Sequence, residues 1–571
     1  MSTLRRLFAL LLLFVSTTLA QTAAPAMPPN RAASQADWWK HAVFYEIYPR
    51  SFADTNNDGT GDLNGITAHL DYLKSLGVDA LWIAPCFPSP QVDFGYDVSD
   101  YKDIDPKYGT LADMDRLIAE GRKRGIKVIL DFVVNHTSDK HAWFQQSASS
   151  KTNPYRDFYI WRDGRAPGAP PNNWSSAFGG ASWKVDSRTN QWYYHFFYPE
   201  QPDLNWRNPK VESAMFDTAR WWFRRGIYGF RLDAVDTLFE DPALTDNPPA
   251  EGKDAYDAPA QLHVNDKNRM SEVHAELQKL RKVTDEFQGR VLIGETWTET
   301  PAQLAEYYGP HNDELQMPMY FNFMTVNKLA PQVFRERVEA IEHNRSNGWP
   351  VYVLSNHDNI RHIDRYGDGQ HNVAIAKMMA AMLLTLRGTA ILYYGEEIAM
   401  ENNDPKRRED VQDIIGRLGW PREKGRDGER TPMQWDATEN AGFNRGAKTW
   451  MPVGPDYKTT NVATEAADRD STLNWYRSLI ALRRSDPALV DGSYTSLDAK
   501  NKKVFSYARK AGGQTVVVSL NMTATPQTVS LAGEAGGSLG RVLASTNALK
   551  AVDLGNLKLE PFQAVVIEVE K

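Results

Sequence analysis

The sequence predicts an α/β fold: a parallel (β/α)8 TIM barrel with a small domain inserted after the third strand and an antiparallel β-domain at the C-terminus. Three observations predict it. Eight apolar, strand-like runs alternate with amphipathic helical segments from Trp38 onward. The alternation breaks after the third run, where residues 136–208 form an aromatic, Pro- and Gly-rich stretch too long for an ordinary loop. Past residue 490, short alternating runs replace the helical pattern.

Residues 1–20 read MSTLRRLFALLLLFVSTTLA. Arg5 and Arg6 precede an apolar run from Leu7 to Val15, and Ala20 ends a small-residue site. This is a secretory signal-peptide pattern, which predicts a periplasmic or secreted protein. The run is shorter than the ~20 residues a membrane span needs, so no stable membrane insertion is expected. Residues 21–37 are Ala- and Pro-rich and read as a linker. The barrel is expected over 38–135 and 209–490, on the runs AVFYEIYP, ALWIAP, KVILDFVVNH, GFRLDAV, VLIGETW, MYFNF, VYVLSNHD and AILYYGEE. Between the early runs, AHLDYLKSLG and LADMDRLIAEGRKRG read as helices, each closed by a glycine cap. The inserted domain takes 136–208. The C-terminal domain takes 491–571, on runs such as VFSYARK, TVVVSLNM and AVVIEVE.

Bulk properties narrow the function. A formal net charge of -7 argues against a nucleic-acid partner, which would select a basic patch. The single cysteine, Cys86, excludes an intrachain disulfide and reads as a small buried hydrophobe. A chain of 571 residues can rely on a large core instead.

Active sites of such barrels lie at the C-terminal ends of the strands. The polar residues of the runs fall there: Asp131, Asn135 and His136 on the third, Arg231 and Asp233 on the fourth, Glu295 on the fifth, and Asn356, His357 and Asp358 on the seventh. A single strand-end Asp often only caps a helix. Carboxylates converging from several strands raise one another's pKa, so one stays protonated while its neighbour is ionised. Glycoside cleavage uses that division of labour. Arg231, two residues before Asp233, is expected to steady it as an anion.

The motifs DFVVNH, QPDLNW, GFRLDAVD, IGETW and SNHD make the chain resemble the α-amylase superfamily of retaining glycoside hydrolases, from Trp38 to the end. The resemblance implies Asp233 as nucleophile, Glu295 as general acid/base and Asp358 as the transition-state stabiliser. It implies hydrogen-bonding roles for His136, Arg231 and His357 around the first sugar. FYEIYPRSF, DFGYDVSDY and RTPMQWD are in the style of the exo-acting α-glucosidases. That implies Tyr96 stacked on a terminal glucose, and Asp97 paired with Arg426 to close the pocket beyond one sugar. Arg430 is a second candidate for the arginine. Phe178 and Phe197 are implied as aromatic walls. The expected reaction is release of glucose from the non-reducing end of α-gluco-oligosaccharides by double displacement. In related glucosidases a small residue after the nucleophile goes with α-1,4 cleavage and Val with α-1,6; here it is Ala234.

DTNNDGTGD, residues 54–62, repeats oxygen side chains at Asp54, Asn56, Asp58 and Asp62, with Gly59 and Gly61 allowing a tight turn. Spacing alone is compatible with a solvated turn or with a hard cation. The resemblance favours structural Ca2+, with Mg2+ as the alternative, and adds the Thr60 carbonyl. Two other functions are compatible with this fold. Relatives with the same machinery transfer glucose or isomerise disaccharides, as trehalose synthases do. A non-catalytic, transporter-associated protein on the same fold would have lost carboxylates that are present here.

Overall fold

The computed structural model describes residues 37–253, 258–267, 269–344 and 348–570. The expected signal peptide and nearly all of the linker lie outside them. Eight parallel strands form the centre: β1 (Val43–Ile47), β2 (Ala80–Ile83), β3 (Lys127–Val133), β4 (Gly229–Asp233), β5 (Val291–Gly294), β6 (Met317–Pro318), β7 (Val351–Val353) and β8 (Thr389–Tyr393). Their order is β6-β5-β4-β3-β2-β1-β8-β7. Each strand lies beside its sequence neighbour and β8 beside β1, the order of a (β/α)8 barrel. Among the described residues no ladder joins β6 to β7.

The sixth strand departs from expectation. MYFNF reads as strand in the sequence, but the strand is Met317–Pro318 and Phe321–Met324 is a helical turn. A short apolar run has no period to separate the two states.

Alternation along the strands builds two cores. Phe44, Ala80, Trp82, Ile129, Val291, Ile293, Val351 and Ile391 fill the barrel. Tyr45, Leu81, Leu130, Phe230, Leu232, Leu292 and Leu392 face the surrounding helices. Trp38 stacks on Phe44 at the barrel's N-terminal end, with ring centroids 5.5 Å apart. Helix Leu111–Arg124 opens on a Thr110–Asp113 capping box and stops at left-handed Gly125. Helix Pro209–Arg225 opens on Asn208 and stops at Gly226 in the same way. Cys86 is buried in the main core.

Between β3 and β4, three short antiparallel strands, Trp161–Arg162, Gln191–Tyr194 and Trp183–Asp186, form a separate sheet. It has its own aromatic core of Ile160, Trp174, Trp183, Tyr194 and Phe196. The chain ends in a six-stranded antiparallel sheet, running from Ser493–Leu497 to Ala564–Val569 in sequence. Among the described residues no helix is long and apolar enough to cross a membrane.

Candidate active site

Register decides what β4 shows to the barrel interior. Gly229, Arg231 and Asp233 face inward, opposite Ile129, Asp131 and Val133 of β3. The alternate residues Phe230 and Leu232 pack outward. Gly229 has no room for a side chain: a Cβ there would lie 2.3 Å from the Val291 carbonyl oxygen. The layer above it is charged. Arg231, fully buried, donates from Nη1 to Asp233 Oδ1 at 2.6 Å and to Asp131 Oδ1 at 3.1 Å. Its Nη2 donates to Glu295 Oε2 at 2.6 Å. One guanidinium thus ties the expected nucleophile to the expected acid. Glu295 also accepts from the Ala234 amide at 3.1 Å and from Trp297 Nε1 at 2.9 Å. Burial pushes Asp233 well above the usual carboxylate range; the Glu295 charge adds to this and Arg231 opposes it.

Asp358 is the opposite case. Burial alone would raise it, but His357, Arg426 and Arg430 hold it well below the carboxylate range. His357 Nε2 is 3.0 Å from Asp358 Oδ2, Arg426 Nη1 is 2.9 Å from Oδ1, and Arg430 Nη2 is 2.8 Å from Oδ1. The His357 Nδ1 lies 2.6 Å from Glu46 Oε1 on β1. Burial alone would lower this imidazole; Asp358 and Glu46 outweigh it and raise it to about 9. His357 is therefore a cation at neutral pH. His136 has no such partner, and burial lowers it to about 4. It stays neutral, with Nε2 3.0 Å from the Tyr96 carbonyl oxygen.

The expected Asp97–Arg426 pair is corrected by the structure. Arg426 Nη2 meets Asp93 Oδ1 at 2.7 Å, and its Nε meets Asp413 Oδ2 at 2.9 Å. Asp97 is fully buried in the turn instead, accepting from the Val92 and Asp93 amides at 3.0 Å and from the Ser89 hydroxyl at 2.8 Å. Phe94 and Gly95 adopt positive φ, 46° and 111°, between the two aspartates. The chain reverses there, so Asp93 faces the cavity and Asp97 braces the reversal.

These groups line one cavity of about 390 Å3. Asp233, Glu295, Asp358, Tyr96, His136, Phe178, Phe197 and Arg426 all border it. Tyr96 stacks on His357 with centroids 5.4 Å apart, and its hydroxyl donates to Asp131 at 3.1 Å. Phe178 and Phe197 come from the inserted segment, with centroids 5.4 Å apart. The sequence reading missed Asp93, Gln201, Asp236, His263, Lys267 and Trp297, which also line the cavity. Gln201 opens the quoted QPDLNW and Trp297 closes IGETW, so both were within reach; His263 and Lys267 sit in a stretch without a motif.

The 54–62 loop is apart from this cavity's lining. Asp54 Oδ1 accepts from the Asn56 and Asn57 amides at 3.1 and 2.7 Å, and Oδ2 from the Gly59 amide at 2.8 Å. Asp58 Oδ1 accepts from the Thr60 amide at 2.8 Å. Asp62 caps helix Leu63–Ala68 through the Gly65 amide, 2.7 Å away. Among the described residues no three His, Cys, Asp or Glu side chains group into a metal site. The remaining lone pairs of Asp54, Asn56 and Asp58 are the hard oxygen donors the loop can offer.

Residues 46–492 match the alpha amylase catalytic domain model, and 494–566 match the maltogenic amylase C-terminal domain model. The chain belongs to the α-amylase family. It is a glycoside hydrolase of the α-glucosidase type. A probable alpha-glucosidase of Rhizobium meliloti (strain 1021) is 41% identical over 89% of this chain and 92% of its own length. An oligo-1,6-glucosidase of Parageobacillus thermoglucosidasius is 38% identical, covering 93% of this chain and 99% of its own. Among solved structures, the alpha-glucosyl transfer enzyme XgtA is 40% identical with a TM-score of 0.87, over 93% of this chain and 99% of its own. The trehalulose synthase MutB of Pseudomonas mesoacidophila MX-45 is 36% identical with a TM-score of 0.87, over 95% and 100%.

Two predictions follow from the charges. Because the folded His357 titrates above an unfolded histidine, its contribution to stability is full below about pH 6.5 and is lost as pH rises through about 9. Glu46→Gln removes one of the two anions that raise it. Urea midpoints measured from pH 6.5 to 9.5 should fall more steeply in the wild type than in Glu46→Gln; parallel slopes place the titrating charge elsewhere.

The second concerns the corrected pair. Asp93→Ala should lower kcat/KM on p-nitrophenyl α-glucoside by about 100-fold, the scale of a misplaced binding group. Asp97→Ala should act first on the melting temperature. The reverse pattern would return the role to Asp97.

Proposed function

We propose that this protein is a retaining exo-α-glucosidase that releases glucose from the non-reducing end of α-linked gluco-oligosaccharides, with α-1,4 links preferred. The observation that carries the reading is an ion cluster at one wall of the cavity. Asp93, Arg426 and Asp358 interlock there, with Asp233 and Glu295 on the same cavity wall system. A chain entering such a pocket has room for its terminal sugar against the cluster and its remainder toward solvent.

In the proposed reaction Asp233 attacks the anomeric carbon while Glu295 protonates the departing oxygen. A water deprotonated by Glu295 then cleaves the glycosyl-enzyme ester and restores both groups. Retaining enzymes need their two carboxyls only ~5 Å apart. Contact of both with neighbouring nitrogens of Arg231 supports that spacing. The Asp358 anion, fixed by three cations, is placed to accept from sugar hydroxyls and to offset oxocarbenium charge. The α-1,4 preference rests on Ala234, whose small side chain borders the cavity next to the nucleophile.

Asp233→Asn keeps the shape and removes the nucleophile, so turnover should fall by several orders of magnitude. A purified variant retaining a tenth of wild-type turnover would falsify the assignment. Product analysis on maltose, isomaltose, sucrose, trehalose and starch tests the rest. Glucose from maltose and maltotriose is expected first, with iodine staining of starch persisting. A preference for isomaltose removes the Ala234 argument. Transfer is the second reading, favoured by the solved structures of a glucosyl transfer enzyme and a trehalulose synthase. New disaccharides in place of glucose would select it.

The same proposal includes an exported protein, periplasmic or secreted, on the strength of its N-terminal pattern. It also includes a structural Ca2+, or Mg2+, held by Asp54, Asn56, Asp58 and the Thr60 carbonyl, with Asp62 shared between the ion and its helix. The cation supplies cross-linking charge, remote from the reaction. Because binding only the folded state adds stability by mass action, chelation should lower the melting temperature of the wild type. It should leave Asp58→Ala, already lower, unmoved. No change in either protein would leave the loop a plain turn.

A further inference from the structure

We propose that Glu46 is a positioning residue for the reaction. From β1 it holds His357 with a proton on both ring nitrogens, and through the Tyr96 hydroxyl it thereby sets the direction of the hydrogen bonds that reach Asp131 and Arg231. This rests on the glycosidase reading, with Asp233 and Glu295 as its carboxyls, and extends it to a side chain outside the cavity lining.

Glu46 stands at an inward position of β1, two residues after Phe44, which fills the barrel core. It is fully buried, and a buried carboxylate is tolerated only against close partners. Its Oε1 lies 2.6 Å from His357 Nδ1 and accepts from the His357 backbone amide at 3.3 Å. One oxygen thus grips the ring and the backbone of the same residue. Arg430 Nε donates to the His357 carbonyl oxygen at 2.7 Å. Tyr48 and Tyr96 stack on the imidazole, with centroids 6.0 and 5.4 Å away, and Trp82 stands edge-on to it at 6.0 Å. The ring is held in one orientation.

Counting protons in that orientation leaves one form. Nδ1 faces a carboxylate, which only accepts, so Nδ1 carries a proton. Nε2 faces Asp358 Oδ2 at 3.0 Å, which also only accepts, so Nε2 carries one too. The Tyr96 hydroxyl is 2.5 Å from Nε2 and accepts there. Its own proton goes to Asp131 Oδ2, 3.1 Å away. Asp131 also accepts from Arg231, which holds Asp233 and Glu295. The chain from Glu46 to the two carboxyls therefore has one direction throughout. The surrounding charges agree with it. Glu46 and Asp358 raise His357 to about 9 against burial. Asp131 is a third anion beyond Tyr96, and the cations nearby, Arg231, Arg426 and Arg430, are each paired with a carboxylate.

Glu46→Gln keeps the shape and removes the charge. The His357 amide still requires an oxygen beside it, so Nδ1 keeps its proton and Nε2 gives its own up at lower pH. Nε2 then turns a lone pair toward Asp358, and the Tyr96 proton leaves Asp131 for the ring. The ratio of kcat/KM at pH 6 to that at pH 8.5, on p-nitrophenyl α-glucoside, should rise about tenfold over wild type, the effect of a shift of about one pH unit in a required proton. Histidine labelled with 13C at Cε1 reads the proton directly, with the His357 resonance identified by its loss in His357→Asn. That resonance should remain imidazolium at pH 8 in the wild type and titrate about one unit lower in Glu46→Gln. A neutral His357 at pH 8 in the wild type overturns the proposal. So does a Glu46→Gln ratio within twofold of wild type, including an equal loss at both pH values, which marks a merely structural contact. Should Glu46→Gln fail to fold, Glu46→Asp withdraws the charge by one methylene and should lower the midpoint by less; an unmoved midpoint there overturns the proposal as well. A wild type inactive on the glucoside overturns the α-glucosidase reading instead, and the resonance still decides how His357 is held.

Discussion

A cation inside the barrel organises the site. Arg231 occupies an inward position of β4 where the layer below is Ile129, Gly229 and Val291. Taking a guanidinium out of water costs several kcal/mol, and only close partners offset it. The fold supplies Asp131 from β3, Asp233 from β4 itself and Glu295 from the end of β5. Trp82 of β2 closes the remaining face, 5.0 Å from the guanidinium carbon. Four adjacent strands therefore converge on one side chain. Removing Arg231 would leave buried carboxylates without their shared cation, a penalty on the order of 3–5 kcal/mol. The carboxyls of Asp233 and Glu295 are thus held by the same contacts that make the buried arginine tolerable.

From this centre the charges diverge in character. On one side they form a continuous chain from Glu46 through His357 and Asp358 to Arg426, which in turn holds Asp93 and Asp413. Each member touches at least one opposite charge, and the elements supplying them are spread from β1 to the loop after β8. Such a network is stiff, because shifting one member breaks several contacts. On the other side, Asp236 and Lys267 approach without closing.

Much of this was legible in the chain. GFRLD, GET and NHD carry Asp233, Glu295 and Asp358 at strand ends, and a strand of period two fixes which residues face inward. The Asp93–Asp97 choice was not legible. Both lie in one short turn, and only the left-handed conformations at Phe94 and Gly95 decide which carboxylate faces the cavity. Glu46 and Asp413 escaped for another reason. Each acts through a partner far away in sequence, His357 or Arg426, and no local pattern marks a carboxylate for that work. His263 and Lys267 come from a stretch with neither helical nor strand period, where sequence offers composition and little else.

Ala234 shows how closely backbone and cavity wall are joined here. Its φ and ψ are both 46°, a left-handed conformation that costs a non-glycine residue about 1–2 kcal/mol. The return for that strain is visible: the turn aims the Ala234 amide at Glu295 Oε2, 3.1 Å away. Ala234 therefore borders the cavity with its side chain and contacts Glu295 through its backbone. A β-branched side chain at this φ is more strained than alanine. Size at position 234 is consequently not a free variable. A bulkier side chain at 234 also loads the turn that holds Glu295, so the width of the cavity there and the placement of Glu295 move together.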